Sequence, residues 1–370
     1  MSREFLEGNE VIAAAAIKAG CDFFAGYPIT PASSILHYML NLVPGVGGKA
    51  IQCEDEIASM GFCIAAAMTG KKVLTATSGP GMSLYSENIG LAQIGETPMV
   101  IINIQRQGPA TGSATKGAEG DILFTRWITS GGMPIIALSP ATVGEAYELT
   151  FRAFNLAEQY RTPVVLQASK EIGVTRESVD LDAIELPPVY PRKKSDSLQH
   201  HFDKPTDIPG MLEFDGKNVS RYTTSTHGKD AYLTSDPVLI QEMLDHYIEK
   251  ITAARNDIAL YKTDMQDGAD TLLLGYGVTY RSIKVAVEQA RANGKKVSSI
   301  QIQSLYPVPT EAILTAMKGV KKVVVPEMNM GQYIRDIERI APKDVEVVGV
   351  NKMNTYLVSP TEILEKGGLS

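Results

Sequence analysis

The sequence predicts an α/β protein, a doubly wound parallel-sheet domain followed by a second α/β domain. Three observations predict it. Apolar runs of strand length alternate with helix-length segments from residue 9 onward. The runs are continuous in Val, Ile and Leu, as strands buried on both faces require. The alternation stops near Val174 and resumes beyond residue 261, which separates two units.

Taken in order, Asn9 can cap a helix through "EVIAAAAIKAG" that stops at Gly20, and "CDFFAG" follows as a short buried strand. "KAIQC" reads as strand, and "EDEIASMGFCIAAAMTG" as a helix with acids in its first turn and Gly70 beyond its end. "KKVLTATS", "PMVIINIQ", "MPIIALS" and "TPVVLQAS" are further strands, completing a domain over 1–178. The segment 179–261 contains "ELPPVYPRKKSDSLQHHFDKPTDIPG", whose proline and charge predict a long connection lying on a surface or against another chain. It ends with a helix-like stretch from Pro237. "DTLLLGYG", "KKVSSIQIQ" and "VKKVVVPE" are strands of a smaller domain over 262–370.

The 370 residues, 44% hydrophobic, suffice for two cores. A net charge of −7 provides no positive field for nucleic acid or an anionic membrane. The opening residues lack a basic region before an apolar stretch, and no run approaches the roughly 18 apolar residues of a membrane span, so the expected location is the cytoplasm. Cys21, Cys53 and Cys63 contain no C-x-x-C, so this chain predicts neither a disulfide framework nor an iron–sulfur site. His200 and His201 beside Asp203 could ligate a metal, although polar residues in an irregular segment are the favoured reading.

Familiar motifs fail. "GYGVTY" at 275–280 lacks the third glycine of a dinucleotide fingerprint and its downstream acid, as does "SGPGMS" at 78–83. "TGKK" at 69–72 is not a P-loop, and no G-x-S-x-G or H-E-x-x-H occurs. Position is more informative, because ligands bind beyond the carboxyl ends of strands in open α/β sheets. "GYPITPASS", "EDE", "SGPG" and "RQGPATGSATKGAEGD" all follow strands, which puts Thr30, Glu54–Glu56, Ser78 and Arg106 on one rim. Pro28 and Pro31 restrict Tyr27 and Thr30 to extended conformations. Thr30 then stands ahead of a helix N-terminus with Arg106 nearby, a combination suited to a carboxylate. The plainer alternative makes Pro31 the first helical residue and Thr30 its cap.

Together "GYPITPASS", "QCEDEIASMGFCIAAAMTGKKVLTATSGPGMSL", "QRQGPATGSATKGAEGD" and "VPEMNMGQY" resemble the α subunit of the 2-oxoacid:ferredoxin oxidoreductases, especially the short 2-oxoglutarate type. The resemblance implies a thiamine-diphosphate pyrimidine-binding domain followed by a transketolase C-terminal-like domain. It also implies oxidative decarboxylation of a 2-oxoacid with coenzyme A, ferredoxin being reduced, and allows the reverse carboxylation. Glu56 matches the glutamate that hydrogen-bonds the pyrimidine N1′; from the residues alone, any acid of "EDE" could serve a helix first turn. Thr30 and Arg106 match residues holding the substrate carboxylate, and Tyr27, Pro28, Ile29 and Ser78 match positions lining the cofactor.

No G-D-G…N motif is present, so the resemblance assigns no metal ligand to this chain. Mg2+ and diphosphate binding fall to a β subunit, and iron–sulfur clusters to partners such as γ and ferredoxin-like δ subunits. The loop "GPATGSATKG" departs from the 2-oxoglutarate pattern, with Ser113 and Ala114 replacing an apolar–proline pair, and "TRWITSGGMPIIALSP" lacks a histidine common there. Trp127 could therefore line a pocket for a branched or aromatic acid, and Lys116 could meet a distal carboxylate. The β chain of an NAD-linked 2-oxoacid dehydrogenase and a non-catalytic scaffold are the competing functions.

Overall fold

The structure, a computed structural model, describes residues 3–196 and 199–370; two residues of the irregular connection lie outside it. Its larger sheet has seven strands, in spatial order Ser304–Tyr306, Ile136–Leu138, Pro163–Ser169, Met99–Gln105, Val73–Thr77, Phe23–Gly26 and Lys49–Gln52. All neighbours are parallel except the first pair. The central strands are buried along their whole length, as their unbroken apolar runs require. One apolar layer joins this sheet to helices Gly8–Lys18, Ser33–Leu42 and Val143–Tyr160. The opposite layer joins it to Glu56–Met68 and Gly79–Ile94. Ala13, Ala15 and Ala16 are buried in the first helix, and their small side chains allow close approach to Val143–Tyr160.

The smaller sheet runs Glu346–Asn351, Lys322–Glu327, Thr271–Tyr276, Val297–Ile302 and Tyr261–Asp264, with only the last strand antiparallel. Ser304–Tyr306 leaves this unit to extend the larger sheet, so the two halves share backbone hydrogen bonds. No helix among the described residues is long and apolar enough to cross a membrane.

Three details refine the sequence reading. The first helix starts at Gly8, and Asn9 is buried inside its first turn, where Nδ2 donates to Pro31 O and Ser34 Oγ at 2.8 Å each. Asn9 thus braces the Tyr27–Ala32 loop and is not a cap. Glu4–Glu7 pairs with Arg176–Val179, a long-range ribbon without local signal. The irregular connection packs on this chain's own first unit. Arg192 meets Glu158 at 2.7 Å, and His200 is turned inward.

His200 there joins a knot around Glu96. The Glu96 carboxylate meets His200 Nδ1 at 2.6 Å, His246 Nε2 at 2.7 Å and Lys250 Nζ at 2.6 Å. Burial alone would raise this carboxyl, but Lys250, Arg161 and the two imidazoles hold it well below the usual range. Burial pushes His200 down to about 4 despite the Glu96 contact, so its ring is neutral at pH 7. It is a structural core residue tying the connection to the first unit, which removes it from the metal alternative.

Candidate functional site

Gln105, Thr77 and Gly26 end three adjacent parallel strands, so the loops that follow them meet at one edge of the sheet. The next strand, Lys49–Gln52, leads into the three acids. Asp55 caps the following helix by accepting from Ala58 N at 2.7 Å, and both Asp55 and Glu54 are exposed. Glu56 is only 6% exposed. Its carboxylate has no hydrogen bond or ion pair among the described residues, and it lies over Gly81, whose added Cβ would fall 2.9 Å from Oε1. Glu56 alone of the three acids is turned inward, and the structure singles out the third acid on that ground.

Gly81 belongs to the first turn of Gly79–Ile94, and Ser78 precedes that helix without capping it. Ser78 is fully buried, and its Oγ has no partner among the described residues. The neighbouring strand end carries more such atoms. Asn103 Oδ1, Gln105 Nε2 and Arg106 Nε are all buried and unpaired among the described residues. Polar atoms of this kind are normally satisfied by protein, water or ligand, so their concentration at two adjacent strand ends marks a place built to receive something.

Arg106 is 7% exposed and donates through Nη1 to Thr30 O at 2.7 Å and through Nη2 to Thr111 O at 2.9 Å. It therefore ties the "GYPITPASS" loop to its own loop and keeps three of a guanidinium's roughly five N–H donors free. Thr30 is exposed, with no side-chain hydrogen bond among the described residues. The helix after it begins at Ser33 behind Ala32, so Pro31 is not its first residue and Thr30 is not its cap. Tyr27 and Pro28 are exposed beside the half-buried Ile29.

The structure thus brings Thr30 and Arg106 into contact through the Thr30 backbone and sets Glu56 against the helix that follows Ser78. Lys116 is exposed, without an ion pair among the described residues. Trp127 is 58% exposed under the Arg126 guanidinium, 4.7 Å from the ring centroid.

Asp121 was missed by sequence reasoning. Its carboxylate accepts from Asn103 Nδ2 at 2.9 Å and stands 3.0 Å from where a Cβ on Gly79 would lie. Burial raises this carboxyl, with Asn103 and Arg106 opposing. In the sequence, "EGDIL" shows only an incomplete metal motif. Glu119 in the same loop was also missed. It fills the N-terminus of Thr279–Ala292, accepting from Val278 N at 2.9 Å and Thr279 Oγ1 at 3.0 Å. A Cβ on Gly277 would overlap its Oε1. Gly277 of "GYGVTY" thus makes room for an internal carboxylate at the position where a dinucleotide site would place a phosphate.

Residues 14–245 match the family described as pyruvate flavodoxin/ferredoxin oxidoreductase, thiamine diphosphate-binding, and residues 269–363 match pyruvate:ferredoxin oxidoreductase core domain II. The chain belongs to this family. Among relatives of this oxidoreductase chain, 2-oxoglutarate synthase subunit KorA of Methanocaldococcus jannaschii is 42% identical over 98% of both chains. Ketoisovalerate oxidoreductase subunit VorB of Methanothermobacter marburgensis is 33% identical, over 99% of this chain and 97% of that one. The solved 2-oxoglutarate:ferredoxin oxidoreductase of Magnetococcus marinus, with 2-oxoglutarate, coenzyme A and succinyl-CoA bound, superposes with a TM-score of 0.91 at 27% identity. That superposition covers 98% of this chain and 64% of the longer Magnetococcus chain.

The first unit is thus the family's thiamine-diphosphate-binding domain. Its residues fit the pyrimidine half of that cofactor on structural grounds. The Glu56 carboxylate has no protein donor among the described residues, Ser78 Oγ has no partner there either, and the bare Cα of Gly81 lets the carboxylate lie against the helix that follows Ser78.

Proposed function

We propose that this chain is the α-type subunit of a cytoplasmic complex that oxidatively decarboxylates 2-oxoglutarate. The balanced reaction takes a 2-oxoacid, coenzyme A and two oxidised ferredoxins to acyl-CoA, CO2, two reduced ferredoxins and a proton; carboxylation is its reverse. One observation carries this reading: a buried carboxylate without a donor, Glu56, shares a sheet edge with an exposed hydroxyl, Thr30, whose backbone is held by a buried arginine, Arg106.

Bound thiamine diphosphate supplies a nucleophilic carbon and an electron sink for the decarboxylated fragment. Glu56 would share a proton with N1′ of the pyrimidine, because a buried carboxylate in that position favours the tautomer able to act as a base. Ser78 would satisfy its Oγ on the same ring, and Tyr27, Pro28 and Ile29 would border it. The Thr30 hydroxyl and the free N–H groups of Arg106 would hold the 2-oxoacid carboxylate and aim its carbonyl at the reacting carbon. The prolines and the Asn9 brace settle the Thr30 loop before substrate arrives, which reduces the ordering required on binding. Diphosphate and Mg2+ would be bound by a β subunit, and clusters by further subunits of γ and ferredoxin-like δ type.

A second reading, the same chemistry on a branched-chain 2-oxoacid, is supported by the ketoisovalerate relative. The complex, purified anaerobically by a tag on this chain, should reduce viologen in the presence of coenzyme A and 2-oxoglutarate. Pyruvate, 2-oxoisovalerate and phenylglyoxylate complete the panel. Preference for 2-oxoisovalerate would transfer the proposal to the second reading. Activity with none of the four acids in a cluster-containing complex would overturn both.

A further inference from the structure

The "VPEMNMGQY" motif lies in the second domain, and nothing above gives it a function. In the structure it grips the loop that carries Asp121. Glu119 N donates to Met328 O at 3.0 Å, and Asn329 Nδ2 donates to Glu119 O at 2.8 Å. Gln332 holds the loop at two points: Nε2 donates to Gly120 O at 2.6 Å, and Oε1 accepts from Leu123 N at 2.9 Å. Asn329 is itself fixed, since its Oδ1 accepts from Gly331 N and Gln332 N at 2.9 Å each. Between these anchors stands Asp121. Its N–H donates to Gln105 Oε1 at 3.1 Å, and its carboxylate receives Asn103 Nδ2. Asn103, Gln105 and Arg106 belong to one strand end, and each has an unpaired buried polar atom there.

We propose that Asn329 and Gln332 are positioning residues of the 2-oxoacid site, acting through Asp121 on the Gln105–Arg106 strand end. The proposal rests on the assignment of Arg106 to the substrate carboxylate. Buried amides and carboxylates that satisfy one another hold a strand end in a single arrangement, and loosening any member frees the next. The second domain is thereby part of the site's geometry although none of its residues named here reaches the rim. The motif's two amide side chains suit this work, because each combines a donor and an acceptor on one rigid group.

The test is a double-mutant cycle in the assembled complex, with the 2-oxoacid of highest activity in the panel above. Gln332→Ala and Asp121→Ala should each raise KM about tenfold while kcat stays within roughly threefold, and the double variant should match the single ones. Asp121→Asn, which keeps an acceptor for Asn103, should restore most of the affinity. A general structural role predicts additive losses in the double variant, which overturns the proposal, as does an unchanged KM in Gln332→Ala. If Gln332→Ala does not assemble, Gln332→Met, of similar length but without hydrogen bonds, takes its place in the cycle. Arg106→Ala separates the two levels. Its raised KM beside an unaffected Gln332→Ala overturns only the relay, whereas an unaffected KM in Arg106→Ala overturns the site assignment and the relay with it.

Discussion

An alanine at position 81 would place its Cβ in overlap with Thr77 Oγ1 and 2.9 Å from both Cγ and Oε1 of Glu56. Gly81 has no positive φ, so the substitution brings no backbone strain. In an ordinary helix it would stabilise by about 1 kcal/mol. Here the new methyl must move the Thr77 hydroxyl by more than 1 Å and the Glu56 carboxylate by several tenths of an ångström, at an overpacking cost of about 1–3 kcal/mol. The gain covers only the lower end of that cost, so the net loss is at most about 2 kcal/mol and the melting temperature should fall by no more than several degrees. Turnover should not be spared, because a displacement of about 1 Å in a positioning group can cost roughly a hundredfold in rate. The assay is coenzyme-A-dependent viologen reduction at saturating 2-oxoacid, alongside thermal unfolding. A kcat within threefold of wild type would refute the placement of Glu56 at the reacting centre. A fall in kcat matched by loss of assembly would show that Gly81 serves packing alone.

Three other expectations follow from the same structure. Thr30→Val removes only the exposed hydroxyl, so KM for the 2-oxoacid should rise roughly 10- to 100-fold, as for a hydrogen bond to a charged group worth about 1.5–3 kcal/mol, while Thr30→Ser stays near wild type. Glu96→Gln leaves Lys250 buried without its counter-charge and should destabilise the chain by about 3–5 kcal/mol in denaturant unfolding, whereas a loss below about 1 kcal/mol would show the knot to be dispensable. Burial pushes Glu119 up to about 8, although Thr279 and Val278 donate to it. Its contribution is therefore fully present below the unfolded value of about 4.3 and is lost as pH rises to 8. The melting temperature of wild type relative to Glu119→Gln should fall across that window, and a rise would mean that Glu119 is ionised at its helix N-terminus.

The central strands were legible because a strand buried on both faces must be apolar throughout, and that pattern is local. The rim was legible for a topological reason, since each unusual loop follows a strand. The choice among Glu54, Asp55 and Glu56 was not visible in residue types. It depends on where the helix cap falls, and Asp55 as cap turns Glu56 inward and leaves Glu54 in solvent. The role of Asn9 was misread because an asparagine before an apolar run suits a cap, and its partners Pro31 and Ser34 lie 22 and 25 residues away. The extra strand Ser304–Tyr306, the Glu96 knot and the clamp on Asp121 are likewise long-range pairings. Nothing in the local sequence around Glu119 shows that its partner is a helix N-terminus some 160 residues downstream.

Glu56→Gln is the decisive substitution, because it keeps the size of the side chain and removes the carboxylate. In an intact complex with its full complement of clusters, the reading predicts that coenzyme-A-dependent viologen reduction falls by at least about a thousandfold, as the combined loss of an electrostatic and a proton-sharing group implies. Wild-type turnover by that variant would contradict the assignment and leave the rim a purely structural feature of a scaffold subunit.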